Sequence, residues 1–237
     1  MSGQPRNRLV VTCFLPSTIR ILALLYVLST VLRISSSNLL NQKLAKRVTY
    51  TPSENKNIIW CKLDKTYFNF QKDIYLGTVY LTPPNYETNS SEDLMGELEE
   101  EMFSFSQKGD IIVPGDYNPR TGGIQETVLD DDNAFLNVRE DYENDEQRFR
   151  RSQDSGTVNA RGRNLLETCT ALNLRILNGR IVGDLEDKKT CFHCNGSSVV
   201  DYVMGSKSIL RNVRYLIVKS INATFIGSLS LIIRDKS

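Results

Sequence analysis

Asp110-Ile111-Ile112-Val113-Pro114-Gly115-Asp116-Tyr117-Asn118-Pro119-Arg120-Thr121-Gly122 is the stretch that decides how this chain folds. The run Ile111-Ile112-Val113 predicts a short buried strand, and Pro114-Gly115 predicts its stop. Asp116 and Asn118 follow directly. Beyond a strand end the irregular backbone frees side chains from strict alternation, so a carboxylate and a carboxamide two apart can both aim into one cleft. Asp can take a proton from water or help hold a metal, and Asn can hydrogen-bond a phosphate oxygen without adding negative charge. Taken alone, the same residues also fit an ordinary Asx turn.

Working outward, residues 58–63 and 74–81 are β-branched and aromatic enough for two strands, joined through Asp64-Lys65 and closed by Pro83-Pro84, which predicts an antiparallel pair. Ser90 and Ser91 precede an acidic turn, with Leu94, Leu98, Met102 and Phe105 at helical spacing, so a capped amphipathic helix leads into the strand at Asp110. Residues 130–154 mix both charge signs with little apolar periodicity and read as a long surface loop. A second helix carries Leu165, Leu166, Cys169 and Leu172 on one face and ends near Asn173. Strand-like pieces follow at 174–177, 190–192, 198–204, 213–218 and 229–233. Strands outnumber helices, and the helices fall between groups of strands. The expected architecture is therefore a layered α/β sandwich rather than a doubly wound parallel sheet.

The chain has 237 residues, is 40% hydrophobic and 24% charged, and carries a formal net charge of +1. These values fit an ordinary globular domain, and the charge balance argues for neither a strong polyanion binder nor an acidic tail. Cys13, Cys61, Cys169, Cys191 and Cys194 are odd in number and irregular in spacing, which fits a reducing compartment. Sequons at Asn89, Asn195 and Asn222 point weakly the other way. Cys191 and Cys194 form a C-x-x-C, but no second ligand pair stands at zinc spacing. At the N-terminus Arg6, Arg8 and Arg20 precede the apolar run 21–32, then Arg33 and a serine cluster. The run suits a signal-peptide core and is too short to cross a bilayer, and it also fits a helix docked through Ile21, Leu24, Leu25, Leu28 and Leu32. Residues 1–43 are accordingly set apart as a basic, apolar leader, and membrane insertion is not expected.

The order of motifs carries more than any one of them. Val79-Tyr80-Leu81-Thr82-Pro83-Pro84 precedes the acidic helix and the Asp110 stretch. Asn159-Ala160-Arg161-Gly162-Arg163-Asn164-Leu165-Leu166 and Gly196-Ser197-Ser198-Val199-Val200-Asp201-Tyr202-Val203 come later. Ile59-Trp60-Cys61-Lys62-Leu63 and Ile176-Leu177-Asn178-Gly179-Arg180 fit the same pattern. From about Leu44 to the C-terminal strand, this order resembles the endonuclease/exonuclease/phosphatase family, in particular the AP-endonuclease-type domain of non-LTR (LINE-like) retrotransposons. The resemblance implies two mixed β-sheets packed together and flanked by helices, with the active site at one end. It also implies Mg²⁺-assisted attack of water on a phosphodiester, with DNA as partner and no small-molecule cofactor. Asp116 would activate the water, Asn118 hold the phosphate, Tyr80 hydrogen-bond a phosphate oxygen and Asp201 orient a catalytic histidine. Arg120, Asn159 and Arg161, with Arg163 beside them, would contact the nucleic acid.

Two parts of the family pattern have no counterpart in this sequence. Before Leu44 there is neither the strand bearing an Asn nor the segment bearing the metal-binding Glu. Where the family has a Ser-Asp-His triplet, the chain reads Thr224-Phe225-Ile226-Gly227-Ser228-Leu229. The only histidine, His193, stands upstream of Asp201. The expectation is thus a partial domain over 44–237, lacking its N-terminal strands and an intact metal site, and catalytically impaired. The alternatives are a non-catalytic nucleic-acid-binding remnant, or a secreted or membrane-tethered protein using the leader. Nuclear or cytoplasmic residence is the expectation for the first two.

Overall fold

The computed structural model describes residues 8–14, 47–68, 70–82, 94–127, 149–154, 158–193, 196–220 and 227–234. The apolar run 21–32, the Ser90-Ser91 cap, residues 130–148, Cys194 and residues 224–226 lie outside the described residues.

Eleven strands and three helices are described. Six strands form one sheet in the order β2-β3-β4-β5-β9-β6: β2 (Val48–Thr51), β3 (Ile58–Leu63), β4 (Ile74–Tyr80), β5 (Asp110–Asp116), β9 (Asp201–Ser206) and β6 (Leu174–Ile176). β1 (Arg8–Phe14), β11 (Gly227–Arg234) and β10 (Val213–Ser220) form a smaller sheet, and β7 (Cys191–His193) pairs with β8 (Gly196–Ser198). The helices are α1 (Lys65–Phe68), α2 (Leu94–Ser106) and α3 (Ala160–Ala171).

Alternation along the strands builds a three-layer sandwich. Trp60, Tyr75, Val79, Ile111, Val113, Tyr202 and Met204 join Met95, Leu98, Met102 and Phe105 of α2 and Leu165, Leu166 and Cys169 of α3 in one apolar cluster. Their alternates Cys61, Leu63, Ile74, Leu76, Ile112 and Val203 pack with Val213, Leu216 and Ile233 of the smaller sheet. The expected α/β sandwich is the observed one. Its large sheet is mixed and its small sheet antiparallel, and α2 and α3 pack on the outer face of the large sheet.

Some details differ from expectation. β5 runs through Pro114-Gly115 to Asp116 instead of stopping. Pro114 costs one donor, but Gly115 compensates: a Cβ there would overlap the Val79 carbonyl, so its absence lets β5 stay against β4. The predicted strand 198–204 is split into β8 and β9, because Thr190 Oγ1 accepts from the N–H groups of Val200 and Asp201 and turns the chain into the main sheet. Residues 149–154, the described end of the predicted surface loop, include buried Arg150 and Asp154, each 3% exposed. β1 falls within the stretch set apart as a leader, and it pairs with β11 from Arg8↔Arg234 to Phe14↔Ser228.

Trp60 lies at 0% exposure across from Gly77, whose missing side chain opens the space its ring fills. It also meets the Phe105 ring at 4.3 Å between centroids. Trp60→Ala is expected to destabilise the protein by about 3–5 kcal/mol through loss of buried area and the cavity left behind. Urea titration followed by circular dichroism measures it.

Candidate functional site at the ends of three strands

β4 and β5 are parallel, joined over the sheet by a connection containing α2, so Tyr80 and Asp116 end at the same edge. β9 is antiparallel to β5, so its first residue, Asp201, arrives at that edge too. The register runs Tyr80↔Asp116↔Asp201 across three adjacent strands. Alternation puts this row on the face that also carries Leu76, Ile112 and Val203, at the end of the space between the two sheets.

Asn118 sits two residues beyond β5 in a left-handed conformation, φ 51°, which Asn tolerates better than most residues. Its N–H donates to Asp116 Oδ1 at 3.1 Å and its Nδ2 donates to the Leu81 carbonyl at 2.8 Å. The Leu81 N–H in turn donates to the Asp116 carbonyl at 2.8 Å. The turn is thereby tied to the end of β4.

The other four predicted residues divide. Arg161 donates to the Thr82 carbonyl at 2.7 Å, and its charge bears on Asp116. Arg120 reaches Asp154 at 3.4 Å, and Arg163 donates to the Val158 carbonyl from an exposed position. Asn159 is engaged as the N-cap of α3: its Oδ1 accepts from Gly162 N at 2.7 Å and from Arg120 N at 3.0 Å. A carboxamide so occupied fixes the Asn118–Arg120 turn to the helix. Gly162 is required for this, since a Cβ there would overlap the Arg120 carbonyl.

Several contributors were not singled out in the sequence. Thr190 hydrogen-bonds the Asp201 carboxyl, and Cys191 lies where both Asp116 and Asp201 act on its thiol, which burial pushes up. Asn178 donates to the Asp201 carbonyl and accepts from Val203 N, bracing β9. Behind them Glu126 accepts from Arg180 at 2.6 Å and from Ile176 N at 2.9 Å, with Arg150 at 3.8 Å. Arg150 also donates to Asp187 at 3.2 Å and to the carbonyls of Gly122 and Ile124. This buried ionic group links the segment after Asn118 to the one before Thr190. The family-like Asn178-Gly179-Arg180 hinted at part of it, but nothing local marks Glu126 or Arg150.

The two carboxyls of the row hold protons unusually well. Burial pushes Asp201 up, and the Asp116 charge pushes it further; burial also raises Asp116, against hydrogen bonds from Asn118 and the charge of Arg161. A carboxyl pair that shares one proton can accept a proton at one member and donate a hydrogen bond from the other.

Mg²⁺, which the resemblance implies, seeks near-octahedral oxygen ligation. Among the described residues no group of three or more His, Cys, Asp or Glu side chains could hold a metal, so the described residues do not fit it.

No family model matches the chain, and no curated protein does. Solved structures match, and their likeness shows the fold: an α/β sandwich of the kind found in two endonuclease structures. The chain is similar to the endonuclease domain of TRAS1, a telomere-specific non-LTR retrotransposon, with a TM-score of 0.51 and 17% identity over 79% of this chain and 66% of that one. It is also similar to the AP endonuclease LMAP from Leishmania major, with a TM-score of 0.50 and 12% identity over 80% of this chain and 61% of that one. The chain thus spans less than two thirds of either structure's length. Among the described residues, no helix is long and apolar enough to cross a membrane.

Two outcomes are expected. Asp116 and Asp201 bind protons more tightly folded than unfolded, so their contribution to stability is full below the ordinary carboxyl value near about pH 4 and is lost as pH rises through their raised folded values. Melting temperature should fall from mildly acidic to mildly alkaline pH. Asp201→Asn should shrink that fall, leaving the parts due to Asp116, Asp184 and Asp187, whose carboxyls burial also raises. An unchanged slope in the variant would refute the assignment. Glu126→Ala should cost about 3–5 kcal/mol in urea titration by leaving buried guanidinium charge uncompensated. Glu126→Gln, which keeps an acceptor for Ile176 N, should cost less.

Proposed function

We propose that this chain is a phosphodiester-hydrolase domain of retroelement origin whose cleft still engages the nucleic-acid backbone while hydrolysis is impaired. The observation that carries the reading is the Tyr80↔Asp116↔Asp201 row with Asn118 beside it, all at one sheet edge. In this reading Asp116 accepts the proton of an attacking water, Asn118 holds a phosphate oxygen through its carboxamide, and Tyr80 offers a hydroxyl to another. Arg161, with Arg120 and Arg163, faces the backbone charge. Where the family pattern has its terminal Asp-His pair the chain reads Ile226-Gly227-Ser228-Leu229, so Asp201 has no histidine there to orient. Loss of a single oxyanion donor costs about a hundredfold or more in rate, so losing a metal ligand and the histidine together reduces hydrolysis to little or nothing. The retroelement origin is supported by the similarity to the TRAS1 endonuclease domain, and DNA as ligand by the motif order. Residence in the nucleus or cytoplasm accords with that reading, in which the domain proper begins near residue 44 and the segment before it adds β1 to the smaller sheet.

Purified protein incubated with supercoiled plasmid and Mg²⁺ is expected to bind without nicking, in a manner that weakens steeply with salt. Nicking that disappears in Asp116→Ala would overturn the impairment. Absence of binding even at low salt would overturn the nucleic-acid assignment.

A further inference from the structure

Asp116 and Asp201 are register partners on adjacent strands, Asp201 at 5% exposure and Asp116 half-buried beside it. The elements packed around the pair contribute Tyr80 from β4, Cys191 from β7 and Arg161 from α3 as titratable or charged groups, with Asn118 and Thr190 as neutral partners. Arg161 stays charged. With both carboxyls ionised, Asp116, Asp201 and Arg161 together carry one net negative charge, which repels a phosphodiester. One proton makes the trio neutral, and two make it positive.

Resting on the nucleic-acid reading above, we infer that protons control this sheet edge: it binds a phosphodiester backbone when the Asp116–Asp201 pair is protonated and releases it when both carboxyls ionise. The raised proton affinity of both groups puts this exchange between mildly acidic and mildly alkaline pH rather than in the ordinary carboxyl range. By linkage, a ligand favoured by the protonated form binds with proton uptake, so affinity rises as pH falls.

The test is fluorescence anisotropy of a short labelled DNA duplex with the full chain, at fixed ionic strength and with EDTA present. Affinity should be about tenfold greater at about pH 5.5 than at about pH 8.5, since one unit of pKa shift on binding is a factor of ten. The double variant Asp116→Asn/Asp201→Asn should bind at alkaline pH as tightly as the wild type at acid pH, with a flat profile. His193→Gln, the control that removes the chain's only histidine, should keep the wild-type slope. Circular dichroism checks that each variant is folded. Binding by the wild type with no pH dependence, a double variant that keeps the slope, or a slope that vanishes in His193→Gln would each overturn the inference while leaving nucleic-acid binding intact. Failure of both wild type and double variant to bind at any pH would overturn the underlying reading, and the inference with it.

Discussion

The parallel pairing of β4 with β5, flanked by antiparallel β9, is the constraint from which the rest of the site follows. It sends two strand ends and one strand beginning to a single edge and stacks Tyr80, Asp116 and Asp201 in one register row. A slip of one residue on β5 or β9 would turn Asp116 or Asp201 onto the helix-facing side, among Trp60 and Phe105. The apolar alternation of Ile111, Ile112 and Val113 against Tyr202, Val203 and Met204 forbids that slip. Core packing and site geometry are therefore the same specification.

Much of this was legible in the sequence because it depends on local pattern. The β-branched runs at 58–63, 74–80 and 110–113, and the helical spacing of Leu94, Leu98, Met102 and Phe105, each report one buried face. The continuation of β5 to Asp116 was not legible. It depends on Gly115 lying against Val79 and on Pro114 being accommodated beside Val203, and both are properties of neighbours far off in sequence. The split between β8 and β9 has a similar origin in Thr190, ten residues or so upstream of the groups it binds.

The buried ionic group was the least legible part. Glu126, Arg150 and Arg180 look like solvated charges in any window of sequence, and Arg150 closes a stretch dense in both signs. Only the fold reveals that they face one another, and that Arg150 reaches two carbonyls as well as Asp187. Asn159 shows the opposite limit. Its place in a family-like motif suggested contact with ligand, whereas its side-chain oxygen is used to cap α3 and to hold Arg120 N. The motif is real, and its work lies in joining the helix to the catalytic-type turn.

The parallel β4–β5 pair has a kinetic consequence. Its ladder cannot form from a tight turn, so the loop-closure entropy of the whole crossover must be overcome before the pairing contributes any stability. The Asp116–Asp201 contact adds a second, longer closure, because β9 joins β5 only after the chain has passed through α3 and β6. A domain of this topology folds slowly relative to a helical bundle of its size. The acidic edge depends on the longer of these two closures, so two carboxyls that repel each other are held together by packing elsewhere in the sheet.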